Sequence, residues 1–148
     1  MKLHKLKLTQ PYFDQVKYHN GKVENFFKKF EVRKNDRDYQ VGDLLLLLEY
    51  DPKTKEYLND GYFTEINYIL DLQESLGICN SEYVILGLNP ICINKDGYDL
   101  LNNNNYAPFL NLTDEDCLKE LLDLMEHKNV GCWEKWKVLC KKALQPQK

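Results

Sequence analysis

Five consecutive leucines, Leu44 to Leu48, constrain this chain more than any other feature of its sequence. The run is launched by Val41-Gly42-Asp43, a turn signal, and is followed after Glu49-Tyr50 by the polar hairpin loop Asp51-Pro52-Lys53-Thr54-Lys55. A segment this short between two turns is a strand. Because it is apolar at consecutive rather than alternate positions, it needs burial on both faces, as in a closed barrel. It also falls far short of the roughly 20 apolar residues that span a bilayer, so no membrane partner is expected.

Other segments repeat the strand signature at short spacing. Leu3 to Leu8 alternates Leu6 and Leu8 with Lys5 and Lys7. Phe26 to Arg33 sets Phe30 and Val32 on one face and Glu31 and Arg33 on the other, and Tyr62 to Leu70 and Tyr83 to Leu88 follow. A short helix is expected after Thr9, with Tyr12, Phe13 and Val16 as its apolar side and a stop at His19-Asn20-Gly21. The C-terminal part has a different period. Thr113-x-x-Asp116 reads as a capping box, and Leu118, Leu121, Leu122 and Met125 follow on one helical stripe. Asn129-Val130-Gly131 breaks that helix, and Trp133, Trp136, Cys140 and Ala143 start another. The expected fold class is therefore α+β. Residues 1–91 form a small mixed β-barrel with one early helix, residues 92–112 a loop linker, and residues 113–148 a helical hairpin extension packed on the barrel or on a partner.

Charge narrows the function classes. The 148 residues carry a formal net charge of −3, which argues against indiscriminate coating of nucleic acid. Residues 1–37 nevertheless hold ten Lys and Arg against four acids, net +6, so the remainder carries −9. The five cysteines at 79, 92, 117, 132 and 140 are odd in number and include no C-x-x-C pair, which fits free thiols. With an N-terminus that lacks an apolar h-region, this points to a cytoplasmic location. Cys117, His127, Cys132 and Cys140 have no zinc-site spacing, so no metal or other cofactor is expected. His4 and His19 are lone histidines, and Trp133 and Trp136 read as helical core anchors.

The richest constellation is Lys28-Lys29-Phe30-Glu31-Val32-Arg33-Lys34-Asn35-Asp36-Arg37-Asp38. A guanidinium forks onto phosphate or stacks on a base, and a nearby carboxylate holds it in place or serves as a general base. A solvated, salt-bridged turn is the plainer reading of the same residues.

That string continues through Tyr39-x-Val41-Gly42-Asp43-x-Leu45-x-Leu47-x-Glu49-Tyr50. Together with His4-x-Leu6-Lys7, Tyr12-Phe13, Val16, Tyr68-Ile69-Leu70 and Tyr83-Val84-Ile85-Leu86-Gly87-Leu88, it resembles a family of small domains in the ASCH group of PUA-like barrels. These domains are common in bacteriophages and Gram-positive bacteria. The resemblance covers about residues 3–91 and implies a barrel with a cleft beside the basic strand that binds RNA or modified nucleotides. By position, Lys28 matches the family's Lys before that strand. The amidohydrolase members carry Thr three residues later, where this chain has Glu31, so that activity is not carried over.

The leading expectation is an RNA- or nucleotide-binding module. Lys28, Arg33 and Arg37 contact phosphate, and Glu31, Asn35 and Asp36 orient those groups. Among the tyrosines at 12, 39, 50, 62 and 68, Tyr12 and Tyr68 are the chosen candidates to stack on a base. One alternative is a nucleoside or RNA hydrolase, with catalytic Glu31 as base and Lys28 stabilising developing charge. Another is a phage-type interaction factor that docks on a host protein through the C-terminal hairpin. On the leading reading, Arg33→Ala abolishes ligand binding at a nearly unchanged melting temperature.

Overall fold

The computed structural model describes residues 1–9, 29–72, 82–90, 107–128 and 134–145. Five strands form one mixed sheet: β1 (Leu3–Thr9), β2 (Phe30–Lys34), β3 (Leu44–Asp51), β4 (Glu56–Asp71) and β5 (Tyr83–Pro90), in the order β1-β3-β4-β5-β2. β1 runs parallel to β3 and the other pairings are antiparallel. The sheet curls into a half-barrel. Two helices, α1 (Asp114–Lys128) and α2 (Glu134–Ala143), complete an α+β fold with a C-terminal helical hairpin. The expected early helix, Phe26 to Lys28, Trp133 and most of the expected linker lie outside the described residues.

The leucine run is buried on both sides, each residue at most 1% exposed. Leu44, Leu46 and Leu48 join one core with Leu3, Phe63 and the inner stripes of the helices: Leu118, Leu121, Met125, Trp136 and Cys140. Leu45 and Leu47 face the concave side, with Leu6, Leu8, Tyr39, Ile66, Val84, Leu86 and Leu88. The strand is thus the wall between two hydrophobic layers, which explains why alternation is missing from its sequence.

The hairpin spends its apolar stripes on the barrel. Its first helix starts as the capping box predicts, with the Asp116 N–H donating to Thr113 Oγ1 at 3.1 Å. Within residues 107–112, read from the sequence as the end of a linker, Phe109 is buried in the core and Leu110 and Leu112 pack against it. A 3-10 turn at Ala107–Phe109 puts Phe109 edge-on to Phe63, with ring centroids 5.6 Å apart. The Lys5 ammonium fastens this turn to β1 by donating to the carbonyls of Phe109, Leu110 and Leu112 at 3.0, 2.9 and 2.6 Å. Cys117 and Cys140 are buried in the same core, and burial pushes both thiols up to about 11.

Two glycines are explained by backbone geometry. Gly42 sits at φ +96°, where a side chain is strained even though nothing stands within 4 Å of its would-be Cβ. At Gly87 a Cβ would meet Asn67 Oδ1 at 2.6 Å, because β4 bulges between Ile66 and Tyr68 and presses over β5 there.

The pleat of β2 is the surprise. Glu31 pairs with Leu86 and Arg33 with Val84, both core residues, so the polar side of β2 faces inward. Phe30 and Val32 point out, 55% and 46% exposed. Tyr68 shares that convex face, since Phe30 and Tyr68 both pair with Gly87. We expect Phe30→Thr or Val32→Thr to change stability by no more than about 0.5 kcal/mol. Leu46→Ala should cost about 2–5 kcal/mol, both read by urea denaturation.

Candidate functional site

β1 is an edge strand among the described residues, and its open side sets up the site. The Lys2 carbonyl accepts from Leu44 N–H, so even-numbered residues of β1 bond β3. Odd-numbered ones turn both backbone groups to the open side. Side chains satisfy that edge. Lys5 N–H donates to Asp114 Oδ1 at 3.2 Å, and Arg37 donates from Nη1 to the Lys5 carbonyl at 3.1 Å. Arg33 donates from Nη2 to the Lys7 carbonyl. β2 is the opposite edge of the sheet, so the two arginines close the seam of the half-barrel without a backbone ladder.

Glu31 and Arg33 form a close ion pair, with Oε1 3.0 Å from Nε. Glu31 is buried at 7% exposure, while the Arg33 side chain keeps 24% and that of Arg37 39%. The carboxylate orients the guanidinium against β1, and each guanidinium retains N–H donors beyond the one that bonds the edge. The resemblance implied a cleft beside the strand that carries Glu31 and Arg33. The structure keeps them on the concave side but closes the groove around the acid, because β1's unpaired carbonyls draw the arginines in. Asn35 and Asp36 are exposed at the turn after β2. Tyr68 does not join them, since the sheet separates it from Arg33. Lys28 and Tyr12 lie outside the described residues.

Sequence reasoning missed a second constellation beside this seam. His4 is 4% exposed and its Nε2 lies 2.9 Å from Oδ2 of Asp43, itself 2% exposed. Asp43 also accepts from Lys2 N–H at 2.9 Å and Gln40 N–H at 3.0 Å. Burial alone would raise the Asp43 carboxyl, but the hydrogen bonds from His4, Lys2 and Gln40 outweigh it and hold the group below its ordinary value. Tyr39 stands edge-on to the imidazole at 4.8 Å. The signal in the sequence was the Gly42-Asp43 turn opposite His4; only the parallel pairing of β1 with β3 brings the two together.

His4 and Arg37 both line a cleft of about 740 Å³ between the barrel and the helical hairpin. Its other polar walls are Lys2, Asp114, Glu115 and Gln145, and its apolar walls include Leu3, Leu118 and Leu144. The volume is that of a small-molecule site. Among the described residues no group of His, Cys, Asp and Glu could hold a metal ion, and no helix is long and apolar enough to cross a membrane.

A curled mixed sheet whose seam is closed by buttressed arginines defines a small β-barrel-type domain. A family model described as "Domain of unknown function (DUF3850)" matches residues 3–88, more than half of the chain, and the chain belongs to that family. The match spans β1 to most of β5, and both helices lie beyond it. No curated protein matches the chain.

The geometry reverses the expectation for Arg33→Ala. Losing a charge-assisted hydrogen bond and leaving Glu31 buried without its guanidinium should cost about 1.5–3 kcal/mol, visible as a lower urea midpoint at neutral pH; an unchanged midpoint would show that the seam contact carries no stability. The Asp43 contribution has a defined pH window. A carboxylate depressed by folding stabilises fully above its unfolded value, near 3.9, and that contribution is lost as pH falls through the folded value. Between pH 5 and 2 the wild type should therefore lose more stability than Asp43→Asn, and matching acid limbs in denaturation curves would contradict this.

Proposed function

We propose that this domain is an RNA- or nucleotide-binding module of the ASCH/PUA-like kind, with single-stranded RNA tracking along the seam between β2 and β1. One observation carries the reading: Arg33 and Arg37 are pinned on alternate residues of one strand edge, and both remain partly exposed. Their anchoring carbonyls are two residues apart, about 6.6 Å of strand rise. That separation is comparable to the distance between adjacent phosphates of an extended single strand. Guanidinium groups held in place lose little entropy on binding, which favours recognition of phosphate. The excess of cations over acids in residues 1–37 supplies a matching local field.

In this reading Glu31 holds Arg33 rather than activating water, and Asn35 and Asp36 flank the track at the turn. Lys28 and Tyr12 remain proposed contacts. Tyr68, on the convex face, is not part of this track. A cytoplasmic, phage-associated setting remains the accompanying expectation of the family resemblance.

Fluorescence anisotropy with a labelled single-stranded RNA over a salt series tests the reading. Wild type should bind, with an affinity that falls as salt rises. Arg37→Gln should weaken binding alike across sequences and flatten the slope by about 0.7, and Arg37→Lys should restore most of it. A wild-type protein with no affinity at low salt, or an Arg37→Gln slope equal to wild type, overturns the reading.

A further inference from the structure

The outer face of the sheet carries a feature that the phosphate track does not use. Six large hydrophobic side chains are exposed among the described residues, and four of them share this face: Phe30, Val32, Tyr68 and Tyr83, each roughly half exposed. Phe30 and Val32 stand on β2, Tyr83 pairs with Lys34 on the same side, and Tyr68 pairs with Gly87 opposite Phe30. Exposed apolar residues scattered singly are ordinary, whereas a cluster on one face marks a contact surface. Phe30 and Tyr68 are two strand spacings apart, about 10 Å. Gly87 brings no side chain to the gap between them, and Asn67 lays its amide over that gap, its Oδ1 lying 2.6 Å from where a Cβ on Gly87 would be. Exposed lysines bracket β2, Lys29 just before it and Lys34 at its end. Lys34 is paired with Glu82 at 3.3 Å, but both side chains are more than half exposed, and such a pair yields readily to another anion.

Rings presented on strands with cations at their flanks match the chemistry of single-stranded nucleic acid, whose bases stack on exposed aromatic faces and whose phosphates attract lysine. The Asn67 amide has both donors and an acceptor, so it accommodates any base edge and selects none. β2 is the strand that borders the seam, so this face is continuous with the proposed track. We propose that the convex face of β2, β5 and β4 is a base-stacking platform for single-stranded RNA, with Phe30 and Tyr68 each taking one base and Lys29 and Lys34 meeting the backbone. The assignment rests on the nucleotide reading above and adds a second surface to it: phosphates lie along the seam, and where the strand passes over β2 its bases settle on the outer face. Stacking of this kind tolerates any sequence. It also accounts for apolar side chains at positions that the fold leaves open to solvent.

Fluorescence anisotropy of the full chain with a labelled single-stranded RNA, and with an abasic ribose-phosphate strand of the same length, tests the platform. Phe30→Thr and Tyr68→Thr should each weaken RNA binding at least about fivefold. The salt slope should stay at its wild-type value, because no phosphate contact is lost. Phe30→Tyr and Tyr68→Phe keep a ring and should bind as wild type does. The abasic strand should bind wild type more weakly than RNA does, and should not distinguish wild type from the Thr variants. Urea midpoints close to wild type confirm that the variants fold. Thr variants that bind RNA as tightly as wild type overturn the platform and leave the track standing. Weakened binding in those variants, with an Arg37→Gln salt slope equal to wild type, removes the track and leaves the platform. A wild type with no RNA affinity at low salt removes both. Self-association in sedimentation that Phe30→Thr abolishes, with RNA affinity unchanged, overturns the platform and gives the face to a second copy of the chain.

Discussion

The unpaired edge of β1 is the constraint on which the rest of this structure depends. A parallel strand at the margin of a sheet exposes N–H and C=O groups from every second residue, and such an edge must be paired, covered or capped. Here it is capped by three side chains drawn from two distant parts of the sequence. Asp114 comes from the start of α1, Arg37 from the loop after β2, and Arg33 from β2 itself. One set of contacts therefore places the hairpin, closes the half-barrel and fixes two guanidinium groups in a row. Stability and the candidate recognition surface are built from the same atoms, so neither can be changed without disturbing the other.

Much of the fold was legible because its signals are local. The leucine run declared a strand buried on both faces, and both cores confirm it. The Thr113 cap and the Leu118, Leu121, Leu122, Met125 stripe declared α1; Leu118, Leu121 and Met125 are buried, and Leu122 packs against them half-buried. β4 was read too short, starting at Tyr62 when it starts at Glu56, because its first turns of polar sequence pair only through the hairpin with Asp51 and Tyr50. Phe109 was assigned to a linker because the stretch that follows the asparagine run gives no apolar periodicity, and only the tertiary packing against Phe63 reveals it.

The site was legible in composition and not in direction. Pattern alone groups Glu31, Arg33 and Arg37, and the structure does bring Arg33 and Arg37 to one edge. What the pattern could not convey is that β2 turns its charged side inward, because that depends on the seam with β1, a strand more than 20 residues earlier. The same logic hid His4 and Asp43, which are 39 residues apart and meet only through parallel pairing. Polar groups chosen for a closure across sequence-distant edges look, in a linear reading, like an ordinary solvated face.

The central claim is that Arg33 and Arg37 act as one clasp, and a double-mutant cycle measures it most directly. Urea denaturation of wild type, Arg33→Ala, Arg37→Ala and the double variant gives the coupling free energy. The account predicts non-additivity of at least about 0.5 kcal/mol, with the second loss costing less once the seam has opened. Losses that add within about 0.3 kcal/mol would mean that the two residues act independently and that no shared seam holds the barrel closed.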